Sequence, residues 1–393
     1  MKARNYYLGL LCLLLWGCST NESGDTTKNE DGYTYFVTRL GTDTLALERF
    51  KIEDKLITAH VVLRSPTTRF IAYQLKQDDT GGIAQMFRVT PADESFEADG
   101  QTPGQKIEVS GDSLINELPD RQGNMRRFAM LNQPGALPFI DMVHWPFELA
   151  FRNAAKSPAD SIHQMLVTGR RLSDFIIHKP GTDSLTLRHP SRGVMGVTTN
   201  AEGQLIKLDA ALTTRKLVVT RTNDLDFEAL ARQFMDRDAK GSPFGSLSGA
   251  VERDFSFKNT NFKVTHGAPL KRGRDIFGGI VPWGQRWRTG ANRATHFTTS
   301  RNLQIGNLTV PAGEYSLFTI PEANGGTLII NEQTGQNGRS YNAERDLGRV
   351  PMTLSTQDVV TEAFTILVEE SSTGGTLKLI WDQTVFSVDF AIN

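Results

Sequence analysis

The chain has 393 residues, with 43 Lys+Arg against 44 Asp+Glu, a net charge of −1 and 39% hydrophobic residues. That balance offers no bulk attraction to nucleic acid, and the length suffices for two packed domains. Both cysteines, Cys12 and Cys18, lie at the extreme N-terminus, so the rest of the chain carries no disulfide and stability rests on packed cores.

Lys2 and Arg4 form a positive start, followed by an apolar run from Tyr6 to Trp16. The run is shorter than the ~20 residues that span a bilayer and suits a signal peptide. Leu15-Trp16-Gly17-Cys18 resembles the bacterial lipoprotein cleavage box, with Trp16 bulkier than the residue usual there. The resemblance implies a leader at 1–17, acylation of Cys18 and anchoring of the chain to the membrane through that lipid. The expected location is the cell envelope, at the outer membrane, on its periplasmic or surface face. More than one acyl chain makes such anchoring stable. The alternative is an ordinary secretory signal with a chance cysteine. Residues 18–32 read as a flexible tether, since Ser19 to Thr27 carry no large apolar group. Its acids, Glu22, Asp25, Glu30 and Asp31, resemble the export tags of some surface lipoproteins or serve as a solvated spacer.

From Tyr33 the pattern becomes short alternating runs: 33–40, 44–50, 56–63 and 70–76. Turn residues such as Gly41-Thr42-Asp43 and Ser65-Pro66 separate them, which predicts antiparallel hairpins. A second set follows at 185–188, 194–198, 205–211 and 216–220, and Gly181-Thr182-Asp183 repeats the earlier turn. Between the sets, Val143 to Ala155 reads as a helix with Trp145, Leu149 and Phe151 on or near one face. Asp226 caps a second helix running to Arg237, with Phe227, Leu230, Ala231 and Phe234 as its apolar stripe. Gly245 to Gly249 reads as a connector, and strands resume with a run from Phe255 to Val264. The expected fold is therefore all-β. An antiparallel N-terminal domain over 33–222, a barrel or curved sheet with one helix, precedes a helix and linker over 223–254. A C-terminal β-sandwich follows over 255–393.

The segment from Lys271 to Arg301 holds seven bases and a single acid, Asp275, with Trp283 and Trp287 set among glycines. Arg guanidinium stacks on indole and forks onto carboxylate or phosphate. The blocks Arg272-Gly273-Arg274-Asp275-Ile276-Phe277-Gly278-Gly279, Val281-Pro282-Trp283-Gly284 and Trp287-Arg288-Thr289-Gly290-Ala291-Asn292 resemble the bacterial family DUF2911. So do Pro311 to Pro321, Thr334-Gly335-Gln336 and Leu377 to Trp381, and the resemblance covers about 238–393. It implies a secreted or lipid-anchored all-β domain, and the family's activity is not established. The family commonly has Tyr-Gly-Arg-Pro ahead of the basic block, where this chain has His266-Gly267-Ala268-Pro269 and so places a titratable ring there. Two roles are open for the segment. It is either a shallow groove for a glycan or anionic ligand, with Trp283 and Trp287 as platforms and Arg286, Arg288, Asn292 and Arg293 as polar contacts, or a structural corner.

Gly111-Asp112-Ser113-Leu114, Asp141 to His144 and Asp160 to His163 mimic esterase elements, but they stand in β-hairpin surroundings without an oxyanion block. The seven histidines show no metal-ligand spacing, and no nucleotide-binding glycine motif is present. The expectation is a non-catalytic ligand-binding or scaffolding lipoprotein without cofactor or metal. The alternative is an envelope hydrolase acting on glycan or ester, with residues spread over several strands.

Overall fold

The computed structural model describes residues 32–97, 103–120, 122–181, 184–223 and 225–393. The expected leader, Cys18 and all of the expected tether except Gly32 lie outside the described residues.

The N-terminal half is two meanders, antiparallel except for a parallel pair at the start of the second. The first comprises β1 (Thr34–Leu40), β2 (Asp43–Glu53), β3 (Leu56–Leu63), β4 (Arg69–Gln77), β5 (Ile83–Val89), β6 (Gln105–Ser110), β7 (Ser113–Pro119) and β8 (Met125–Leu131). The second comprises β9 (Leu137–Pro138), β10 (Ser161–Val167), β11 (Leu172–His178), β12 (Ser184–His189), β13 (Gly193–Thr199), β14 (Leu205–Asp209) and β15 (Val218–Thr222). Strand β15 returns to pair with β1, Val37 opposite Thr220, and fuses the meanders into one 15-stranded sheet. Its ends, β8 and β9, do not meet, so the curved-sheet expectation holds and the barrel does not.

Helix α1 (Trp145–Lys156) lies against this sheet and is buried almost all round. Trp145, Phe147, Leu149, Ala150, Phe151 and Ala154 share one core with Phe36, Phe50, Tyr73 and Phe175. Each leucine and phenylalanine among them contributes roughly 1.5–3 kcal/mol by leaving water. Two carboxylates are buried with them. Glu48 on β2 accepts hydrogen bonds from the backbone N–H of His144 (2.8 Å) and of Trp145 (2.9 Å). His144, at the cap position, offers no capping side chain of its own, so the helix start is satisfied from a strand 96 residues away. Glu148 binds Arg152 (2.8 Å), Arg221 (2.7 Å) and the N–H of Leu205 (2.6 Å), tying α1 to β14 and β15.

Helix α2 (Phe227–Ala239) covers the opposite face of β1 to β4 with Phe227, Ala231 and Phe234, and Asp226 caps it by accepting from the N–H of Ala229 at 2.9 Å. Beside it His60 stacks on Phe96 (4.4 Å, 8°) and accepts from Arg49 Nε. Burial, reinforced by Arg49, pulls the His60 pKa down to about 4, and burial does the same to His189. Both rings are neutral in the fold, whereas the unfolded chain protonates them near pH 6.5. Stability is therefore full above about pH 6.5 and falls as the pH drops toward 4. For His60 the loss reaches at most ~3 kcal/mol. Thermal melts from pH 7.5 to 4.5 are expected to show this decline, and His60→Gln should flatten it. An unchanged slope would contradict the assignment.

The C-terminal half contains β16 (Ser248–Phe257), β17 (Thr260–Pro269), β18 (Thr295–Thr299), β19 (Leu303–Ile305) and β20 (Leu308–Val310). It continues with β21 (Gly313–Glu322), β22 (Gly325–Asn331), β23 (Asp346–Glu370) and β24 (Gly374–Ile392). The run expected as one strand from Phe255 to Val264 is instead a hairpin. Lys258 and Asn259 both take positive φ (48° and 55°), the geometry of a tight two-residue turn. The strand before it begins at Ser248, inside the segment read as connector. The 25-residue β23 pairs with β22 as far as Met352 and with β24 from Thr353, and its register with β24 shifts between Thr356 and Thr365. The nine-stranded sheet covers a core that includes Phe262, Phe297, Leu317, Phe364, Trp381 and Phe386. The sandwich expectation is met by one continuous sheet.

Candidate functional site

The basic segment does different work along its length. Its first block joins the two halves. The Arg272 guanidinium, 5% exposed, pairs with Asp43 (2.6 Å), donates to the carbonyl of Phe244 (2.8 Å) and stands 3.8 Å over the Phe244 ring. Its backbone carbonyl accepts from the N–H of Thr42 at 3.1 Å. The β1–β2 turn must come so close that a Cβ on Gly41 (φ 63°) would lie 1.9 Å from that carbonyl oxygen. Lys271 pairs with Asp382 (2.5 Å), which fixes the block to β24. The turn that sequence reading took for a simple hairpin connection is thus a docking point.

The middle of the segment packs. Trp287 is half-buried, stacked on Trp381 (5.9 Å, 16°) and edge-on to Phe364 (4.9 Å). Trp283 is 39% exposed and lies on Phe277. Arg286 covers the Tyr341 ring at 3.9 Å, and Arg288 donates to the carbonyl of Gly290 beneath Gly338. Both tryptophans pack against Phe277, and Arg286 and Arg288 each engage a partner of their own.

Asn292 and Arg293, at the end of the segment, line a cleft of about 570 Å³. Its walls are Ser248 to Glu252 of β16, Thr265 to Gly267 of β17, Ala291 to Ala294, His296 of β18, Glu314 of β21, and Thr334-Gly335. The 289–294 loop holds its shape through positive φ at Thr289 (51°) and Asn292 (65°). The Ala291 N–H donates to the Gly267 carbonyl at 3.1 Å, and Thr295 Oγ1 donates to the Thr289 carbonyl at 2.5 Å. Gly267 is obligatory, because a Cβ there would meet the Ala291 oxygen at 2.1 Å. The 334–338 loop docks on the same edge: Gly338 N–H donates to the Asn292 carbonyl (3.0 Å) and Ala294 N–H to the Gln336 carbonyl (3.2 Å). The blocks Trp287–Asn292 and Thr334–Gln336, far apart in sequence, therefore form one site.

Within the cleft, His296 accepts a 2.8 Å hydrogen bond at Nε2 from the N–H of Gly335. That bond places the proton of the neutral ring on Nδ1 and makes it a fixed donor. Arg293 and Asn292 are exposed donors, Asn292 already giving one N–H to the Ser248 carbonyl (3.4 Å), while Glu314 is an exposed acceptor and Glu252 is exposed but paired with Lys263 at 2.7 Å. Ala250, Val251, Ala291 and Ala294 supply apolar wall. His266, singled out by its departure from the family pattern, is 5% exposed and edge-on to Phe364 (5.4 Å). Burial pushes its pKa below the ordinary histidine value. Sequence reasoning missed His296, Glu252 and Glu314, which carry no local spacing signal and meet only through strand pairing.

The esterase mimics do not assemble. Asp141 pairs with Arg192 (2.6 Å) and Arg215 rather than with His144. Burial alone would raise the Asp141 pKa, but the two arginines hold it below the usual range. The cavity beside it encloses only about 30 Å³. Gly111 (φ 58°) makes the β6–β7 turn and Ser113 pairs in the ladder, as the turn reading expects. Among the described residues no group of three His, Cys, Asp or Glu is placed to hold a metal ion, and no helix is long and apolar enough to cross a membrane.

Residues 248–390 match a family described as a protein of unknown function, DUF2911. The match begins at the first residue of β16. No curated protein matches the chain. Among solved structures the chain is similar to a DUF1089 family protein from Pseudomonas aeruginosa, with 10% identity and a TM-score of 0.28. That similarity covers 42% of this chain and 90% of the other.

Proposed function

With its C-terminal region, residues 248–390, a DUF2911 domain, we propose that the protein is a ligand-binding module of the bacterial envelope. It is held there by lipid on Cys18, and its cleft takes a short glycan segment. The observation that carries this reading is the composition of the cleft. Donors from Asn292, Arg293 and His296 face acceptors from Glu252 and Glu314 across small apolar walls. Sugar hydroxyls need donors and acceptors together, and their C–H faces need apolar contact. A small anion would meet the Glu314 carboxylate and a Glu252 already paired with Lys263, beside one arginine. The cleft volume is that of a small-molecule site. The anchor is tested by metabolic labelling with a palmitate analogue, which Cys18→Ser should abolish.

Binding is tested by titrating the full chain with oligosaccharides cut from envelope polysaccharide, with inorganic phosphate as comparator, following the melting temperature. A saturable rise with oligosaccharide is expected. Arg293→Ala should weaken it about tenfold or more, as loss of a charge-assisted hydrogen bond does, while Trp283→Ala leaves it intact. Stabilisation by phosphate alone would replace the glycan reading with an anion site. The hydrolase reading draws on the same walls, where His296 stands with two carboxylates. Turnover of the oligosaccharide that His296→Asn abolishes would establish it.

A further inference from the structure

Four strands end the two sheets, and three of them are poor templates for pairing with another chain. Strand β9 has two residues, β20 has three, and β16 places exposed Glu252, Arg253 and Asp254 along its length. Charges and short edges of this kind block edge-to-edge association. Strand β8 is different. Its seven residues, Met-Arg-Arg-Phe-Ala-Met-Leu, pair only with β7 among the described residues. They contain no proline, glycine or acid, and the β7–β8 register runs without a bulge from Pro119–Met125 to Ser113–Leu131. Met125 and Leu131, 49% and 68% exposed, are two of the few large apolar side chains left in water. The two arginines do not guard the edge, because Arg126 is neutralised by Asp120 (2.9 Å) and Arg127 faces Glu117 (3.8 Å).

We propose that β8 pairs antiparallel with β8 of a second copy of this chain, about a two-fold axis at Phe128, and joins the two 15-stranded sheets edge to edge. The sequence of the strand selects this register. With Phe128 opposite its own copy, exposed Met125 meets Leu131 of the second copy, Arg126 meets Met130, and Arg127 meets Ala129. All seven residues pair and no two like charges of the strand itself stand opposite each other, while Arg170, 5.0 Å over the Phe128 ring of its own copy, comes to the axis with it. Sliding the copies by one two-residue step to place Arg127 on the axis sets arginine against arginine. A further step does the same at Arg126. Sliding the other way shortens the ladder. A two-fold axis perpendicular to the sheet keeps each side chain on its own face, so only registers in these steps are available. The apolar pairs and the unpaired edge hydrogen bonds drive the contact.

The register makes opposite predictions for two substitutions at one exposed position. Ala129 faces Arg127 of the second copy twice in the symmetric pair. Sedimentation velocity of the full chain in neutral detergent is expected to show a concentration-dependent dimer. Ala129→Lys should weaken it by about tenfold or more, and Ala129→Glu should strengthen it. Leu131→Lys, at a second exposed position, should also dissociate it. A chain that stays monomeric up to roughly 100 µM, or a dimer indifferent to all three substitutions, would overturn the proposal and leave the edge to another partner or to none.

Discussion

Glu48→Ala is expected to destabilise the N-terminal domain by about 3–5 kcal/mol, the cost of breaking a buried charged hydrogen-bond set. The carboxylate is fully buried and receives the N–H groups of His144 and Trp145 together with the His144 ring at 3.0 Å. Removing it leaves the start of α1 without acceptors inside an apolar core and takes a negative charge from the positive end of the helix dipole. Pro146, in the first turn, already lacks an N–H, so these two donors are the ones needing an acceptor there. Trp145 is the only tryptophan between residues 33 and 247 and is itself fully buried, so in a chain whose Trp16, Trp283, Trp287 and Trp381 are replaced by Phe, fluorescence during urea unfolding reads this helix. The midpoint should fall steeply for Glu48→Ala and stay within ~0.5 kcal/mol of wild type for Glu53→Ala, an exposed position on the same strand. Equal effects at the two positions would mean that the cap does not hold the helix.

Arg272→Ala is expected to uncouple the two halves of the molecule. The side chain pairs with Asp43, bonds the carbonyl of Phe244 and stacks on its ring, and loss of all three should cost about 2–4 kcal/mol. The two hydrophobic cores remain whole, so the loss should show as separation rather than collapse. Calorimetry should resolve a single wild-type transition into two, and proteolysis should accelerate at the connector around Gly245. Arg272→Lys should fail to restore coupling, because an ammonium cannot fork to two acceptors and stack at once. A lysine variant that melts like wild type would reduce the contact to simple charge pairing.

The sequence showed the fold best where one face of a strand is buried. Alternation placed β1 to β4 and β12 to β15 because Phe36, Leu45, Ile57, Leu75, Leu185 and Leu187 face a core. It missed β8, whose residues are mostly exposed on both faces, but also β5, β7, β10 and β11, which have buried positions, and it merged β16 with β17 because Lys258-Asn259 turns without a glycine. Helix α1 was legible from its apolar residues, but its cap was not, since Glu48 is 96 positions away. The signature segment was found, and its roles were hidden for the same reason. Arg272 is explained by Asp43 at a separation of 229 residues, and Arg293 by a loop that arrives from residue 334. Trp283 and Trp287 stand out in composition, yet Trp287 belongs to the packed corner with Trp381, while the small residues Gly267, Ala291 and Gly335 shape the cleft.

The central claim is that the signature blocks of the C-terminal domain close around one glycan site. Hydrogen–deuterium exchange of the full chain, free and saturated with envelope oligosaccharide, tests it most directly. The account predicts new protection confined to residues 248–252, 265–267, 290–296 and 334–336, the walls of the cleft. Protection centred instead on Trp283, on the cavity beside Asp141, or on no segment at all would contradict it.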